Sequence, residues 1–146
     1  MDVSPSIYLI VGVVAWATSQ LAKYFIKSIR TRSFTQFNLL YLSGDMPSAH
    51  TATVIAMATI IGLVDGVGSG LFALAAIFSA IVMYDAVMVR RSSGEQGAAL
   101  IAYFTEIKRK AIAPRVSKGH TPLEVLIGAF WGIGVALVVF FATTNQ

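Results

Sequence analysis

Long apolar runs alternate with short polar ones along this 146-residue chain. They cover Ile7 to Ile26, Pro47 to Val64, Leu71 to Val89 and Pro122 to Ala142. Each approaches the roughly 20 apolar residues that a helix needs to cross a bilayer, the second being the shortest. The first lacks a basic leader, since Lys23 and Lys27 follow its apolar core, so it reads as a retained span rather than a cleaved signal. A different pattern lies between residues 94 and 119. There Ala99, Leu100, Tyr103, Phe104 and Ile107 recur at helical spacing and lead into Lys108, Arg109 and Lys110. That spacing predicts an amphipathic helix at the membrane interface, its basic run reading as a headgroup-binding segment. A glycine turn, Asp65 to Gly70, joins the second and third runs. The expected fold is all-α: an integral membrane bundle of about four transmembrane helices plus one amphipathic interfacial helix, with residues 1–146 forming one domain.

Composition strengthens this picture. Hydrophobic residues make up 56% of the chain and charged ones 12%, with a mean hydropathy of +0.74. The absence of cysteine excludes disulfides and thiolate metal sites. A net charge of +4 raises the question of nucleic acid. The distribution argues against it, because all 11 Lys and Arg residues fall at the end of span one, at the end of span three, or between spans three and four. With four spans those points share one face, and the partner they fit is an anionic membrane lipid or a phosphorylated lipid substrate. The charge bias makes the basic face cytoplasmic and leaves both termini outside, in a bacterial plasma membrane.

Both histidines sit at helix entrances on that face: His50 in "SGDMPSAH" and His120 in "KGHTPLE". Two helix starts facing one pocket present unpaired N–H groups and positive dipole ends, a setting for an anion. Lys23, Arg90 and Arg91 add fixed positive charge, and arginine suits bidentate contact with phosphate. Two imidazoles there can act as nucleophile and general acid in phosphoryl transfer. Glu124, four residues after His120, can fix its tautomer. Asp85, inside an apolar span, calls for an ion pair with Arg90, Arg91 or Lys23 and so a positioning role. Gln20 and Gln96 are polar neighbours able to hydrogen-bond the arginines or the substrate.

These residues resemble a known family. "PSAH" (Pro47 to His50) is similar to the P-S-G-H motif of type-2 phosphatidic acid phosphatases and vanadium haloperoxidases, and "HTPLE" to their H-x-x-x-D motif with Glu in place of Asp. The blocks "SQLAKYF", "SGDMPSAHTATV", "YDAVMVRRSSGEQ" and "GHTPLEVLIG" resemble the short, divergent membrane branch of that superfamily over most of the chain. The resemblance implies that His120 forms a phosphohistidine, Glu124 orients it, and His50 protonates the leaving alcohol. It implies that Ser48, Lys23 and one or both of Arg90 and Arg91 hold the phosphate oxygens, with no metal or other cofactor. Two motifs depart from the superfamily. In place of the arginine six residues before the nucleophile stands Pro114, with Arg115 one residue closer, and Lys23 is followed at the K-x6-R-P spacing by Arg30 and Thr31.

Each residue also has a plainer reading. Thr121 to Glu124 forms a capping box, and Ser48 can cap span two. Gly128-x-x-x-Gly132 permits close helix packing, within the bundle or across a homodimer. Three functions remain in view. The first is hydrolysis of a lipid phosphomonoester, such as phosphatidylglycerol phosphate or phosphatidic acid, or of a polyprenyl pyrophosphate. The second is a metal-dependent hydrolase using His50, His120, Asp45, Asp85 and Glu124. The third is non-catalytic binding or transport of an anionic lipid.

Overall fold

The computed structural model describes residues 6–32, 46–107 and 119–144. Its elements are α1 (Ser6–Thr31), α2 (Ala49–Val64), α3 (Gly70–Tyr84), a π-helical turn (Asp85–Val89), α4 (Arg90–Glu106) and α5 (Pro122–Thr144). Lys108, Arg109, Lys110, Pro114, Arg115 and Asp45 lie outside the described residues.

The protein is an all-α integral membrane bundle. Three helical stretches are long and apolar enough to cross a bilayer: Ser6–Thr31, Gly70–Glu106 and Pro122–Thr144, with the shorter apolar α2 beside them. The distribution of side-chain size tells the same story. Large residues such as Leu9, Val13, Leu74, Phe78, Phe130 and Val138 point outward, while the interior is built from Gly, Ala, Ser and Thr with a few Val and Ile. Hydrocarbon solvates Leu as well as a protein core does, so large side chains gain nothing by facing in, and small ones let backbones approach.

The central element is α2, which packs against α1, α3 and α5. It has no single apolar stripe, as suits a helix with neighbours on several sides, and Ala49, Thr51, Ala52, Ala56, Ala58, Ile60 and Ile61 are its buried residues. Against it α5 lays Gly128, Gly132 and Ala136. A methyl group on Gly128 would stand 2.7 Å from the Ser48 carbonyl oxygen, and one on Gly132 would stand 2.4 Å from that of Ala52. The Gly-x-x-x-Gly motif thus packs inside the bundle. Its register, Gly128 on Ser48 and Gly132 on Ala52, makes α2 and α5 parallel with their starts side by side.

Helix α1 runs the other way. Tyr8 donates a 2.8 Å hydrogen bond to Asp65 beyond the end of α2, and Trp131 of α5 donates to Thr18. Its buried stripe, Ile7, Val11, Ala15, Ser19 and Lys23, repeats every four residues and carries Lys23 to the end where α2 and α5 begin. Helix α3 is also antiparallel to α2, held there by Ser79 donating to the Val54 carbonyl.

One element differs from the sequence expectation. Instead of a separate interfacial helix, residues 70–106 form one unbroken 37-residue helix, with the π-turn between α3 and α4. "RRSSGEQ" contains no proline to end the ladder, and the Arg90 N–H simply reaches back five residues to the Asp85 carbonyl. Leu100 and Tyr103 on α4 and Ile107 just after it are exposed.

Candidate active site

Two parallel helix starts, the end of α1 and the π-turn converge at one end of the bundle. The backbone joins them: the Ser48 N–H donates to the Glu124 carbonyl (3.3 Å), and the His120 N–H donates to the Ala86 carbonyl in the π-turn (3.0 Å). Gly119 completes the contact. A methyl group there would lie 2.4 Å from the backbone N and Cα of Arg91, so only glycine lets this strand of chain pass.

His120 is buried, and its Nδ1 lies 3.1 Å from Oε2 of Glu124. The same oxygen accepts the Thr121 N–H at 3.0 Å, while the Glu124 N–H donates to the Thr121 hydroxyl at 3.3 Å. One carboxylate therefore closes the capping box of α5 and holds the imidazole. With Nδ1–H directed at the carboxylate, Nε2 carries the free lone pair. Burial lowers the pKa of His120 below its ordinary 6.5. The hydrogen bond and charge of Glu124 oppose that shift, and the positive charges of Lys23 and Arg90 reinforce it. The ring is neutral near pH 7, as a nucleophile must be.

His50, exposed at the first turn of α2, lies within electrostatic range of Arg90, His120, Lys23 and Asp85. Lys23 is buried at the end of the α1 stripe. Asp85 and Arg90 pair across the π-turn, Oδ2 to Nε, at 2.6 Å. Arg91 turns elsewhere: its Nε meets Oε1 of Glu95 at 3.2 Å on the exposed side of α4. Gln96, also exposed, donates to the Ser92 hydroxyl. Ser48 is completely buried and makes no side-chain cap; its hydroxyl accepts from Thr51 at 3.0 Å. That hydrogen bond occupies one lone pair of Ser48 and leaves its own proton to donate. Among the described residues, no three His, Asp or Glu side chains converge as metal ligands would.

The sequence profile of the divergent PAP2 family matches residues 5–135. The chain belongs to that family. It is also similar to the uncharacterized membrane protein YuiD of Bacillus subtilis (strain 168), 33% identical over 97% of this chain and 98% of that protein. No solved structure matches.

In this divergent PAP2 protein three site features carry no sequence motif. The Thr51 hydroxyl, one turn after Ser48, is visible only as a hydroxyl pair at i and i+3. The Ala86 carbonyl is a backbone group and leaves no trace in the sequence. Gln20, one turn before Lys23, holds a buried amide oxygen without a hydrogen-bond partner among the described residues. The paired arginines are sorted by geometry: Arg90 stays within electrostatic range of both histidines, and Arg91 pairs outward.

Proposed function

We propose that this protein is a membrane-embedded lipid phosphatase working through a phosphohistidine. The observation that supports it most is the Glu124–His120 pair, which frees Nε2 beside Lys23, Arg90 and His50 at two adjacent helix starts. In the first step Nε2 of His120 attacks phosphorus. The P–N bond forms as the bond to the lipid oxygen breaks, and protonated His50 gives that oxygen its proton. In the second step neutral His50 takes a proton from water, the resulting hydroxide attacks phosphorus, and the P–N bond breaks to release phosphate and restore His120. Lys23, Arg90 and the N–H groups of the first turn of α2 hold the phosphate oxygens while charge moves between them; Ser48, buried beneath that turn, supports it from behind.

Membership of a PAP2-type family and the apolar flanks of the site favour a lipid substrate. A 16-residue α2 spans about 24 Å against a hydrocarbon core of about 30 Å, which brings its start close under the headgroup layer. With the basic face cytoplasmic, the substrate is a phosphomonoester made there, phosphatidylglycerol phosphate or phosphatidic acid. The test is phosphate release from each purified lipid in detergent with excess chelator. We expect turnover of a phosphomonoester and inhibition by vanadate. Turnover of polyprenyl pyrophosphate alone would overturn the substrate, and dependence on added metal would overturn the mechanism. Lipid binding without any turnover would leave a non-catalytic lipid-binding protein.

Glu124→Gln should lower kcat by about 10²- to 10⁴-fold, because the amide can present its NH₂ to Nδ1 and stabilise the wrong tautomer. The carboxylate raises the His120 pKa, so its loss lets the pKa fall further. The neutral ring then persists to lower pH, and the acidic limb of the rate profile moves down. A pH–rate profile of both proteins checks the sign; an upward shift contradicts the assignment.

A further inference from the structure

The outer side of the α1–α5 pair carries a groove of about 580 Å³, lined by Val14 and Thr18 of α1 and by Ile127, Trp131, Gly134 and Val138 of α5, among others. The phosphate chemistry above makes no use of it. Its α5 wall is continuous with the site: Glu124, Ile127, Trp131, Gly134 and Val138 are spaced 3, 4, 3 and 4 residues apart and so share one helix face. From Ile127 to Val138 that face runs about 17 Å, close to the depth of one leaflet. The walls make no polar demand on an occupant. The Trp131 indole N–H donates to the Thr18 hydroxyl (3.1 Å), and that hydroxyl donates to the Val14 carbonyl (2.7 Å).

We propose that this groove seats the hydrocarbon chain of the substrate lipid while its phosphate lies at His120; this rests on the phosphatase reading. A second copy of the chain has no evident reason to begin its contact at Glu124, whereas a lipid whose head is bound there must leave along this face. The chain gains little by exchanging bilayer for groove, both being apolar. The groove therefore acts on orientation, fixing the angle at which the phosphoester meets Nε2.

Gly134 sets how much chain fits. A methyl group placed on it meets nothing within 4 Å, in contrast to Gly128 and Gly132, so a large side chain there projects into the groove without striking a neighbouring helix. The experiment compares hexadecyl phosphate with butyl phosphate, whose chain ends near Ile127, on wild type, Gly134→Phe and the milder Gly134→Leu. Wild type should favour the long chain in kcat/KM, and Gly134→Phe should reduce that preference about tenfold, the scale on which apolar pockets discriminate by fit. A binding arm uses His120→Ala protein with Trp16→Phe, so that Trp131 alone reports. Bromine-labelled hexadecyl phosphate should quench it saturably, be displaced by the unlabelled lipid, and lose this effect when Gly134→Phe is added. Unchanged preference and unchanged quenching overturn the proposal. So does conversion of a dimer to a monomer by Gly134→Phe with the preference intact, which would assign the groove to a second copy. Saturable, Gly134-dependent quenching in a protein that hydrolyses neither ester would sustain the groove and refute the phosphatase reading.

Discussion

Replacing His120 by alanine should reduce phosphate release by about 10⁴-fold or more, the scale seen when a covalent nucleophile is removed from a working triad. The size follows from position. His120 is buried, fixed at Nδ1 by Glu124 and at its backbone N–H by the Ala86 carbonyl, so no other group can take over its lone pair. His50→Ala should cost less, about 10²- to 10⁴-fold, the range for general acid–base groups. Its loss should also fall more lightly on substrates with acidic leaving groups, such as an aryl phosphate, which depart without a proton. Two measurements check this: steady-state release from lipid and aryl phosphates, and trapping of labelled phosphate on the protein with an alkaline denaturing quench, which spares the acid-labile P–N bond. Label should appear on wild type and be absent from His120→Ala. Comparable turnover in His120→Ala would remove the mechanism.

The fold was legible in the sequence because membrane spans are announced by long apolar runs, and charge placement gathers their ends on one face. The two histidines stood out for the same reason, each at the start of a run. Other features leave weaker traces. Nothing in "YDAVMVRRSSGEQ" distinguishes a span that ends from one that continues, since the π-turn changes the ladder by a single residue without requiring a glycine or proline. The same turn decides between neighbouring arginines. Arg90 pairs with Asp85 and lies within electrostatic range of both histidines, while Arg91 pairs with Glu95 on the exposed side of α4. Ser48 illustrates a third limit. Its place before an apolar run fits a cap, but parallel packing buries it under Gly128, and its hydroxyl turns to Thr51.

The largest structural effect is expected at Gly132, and it tests whether the two helix starts must be held in register. A Cβ at Gly132 would lie 2.4 Å from the Ala52 carbonyl oxygen and 3.0 Å from the Ala56 nitrogen, both backbone atoms of the central helix. No rotamer relieves such a contact, so Gly132→Leu must push α5 away from α2. Overpacking usually costs about 1–3 kcal/mol, and a clash with backbone belongs at or above the top of that range. The site should fail with it, since separation of the helices breaks the Ser48–Glu124 backbone hydrogen bond and moves His120 away from His50. Gly134→Ala, two residues on, is the control for folding. Its methyl group meets open space, and replacing a glycine inside a helix can gain up to about 1 kcal/mol. Thermal unfolding in detergent should therefore shift down for Gly132→Leu and stay level or rise for Gly134→Ala. Were Gly132→Leu to stay folded and turn over lipid at the wild-type rate, the two helix starts would not need their present spacing. The case for His50 and His120 serving one phosphate would then lose its structural basis.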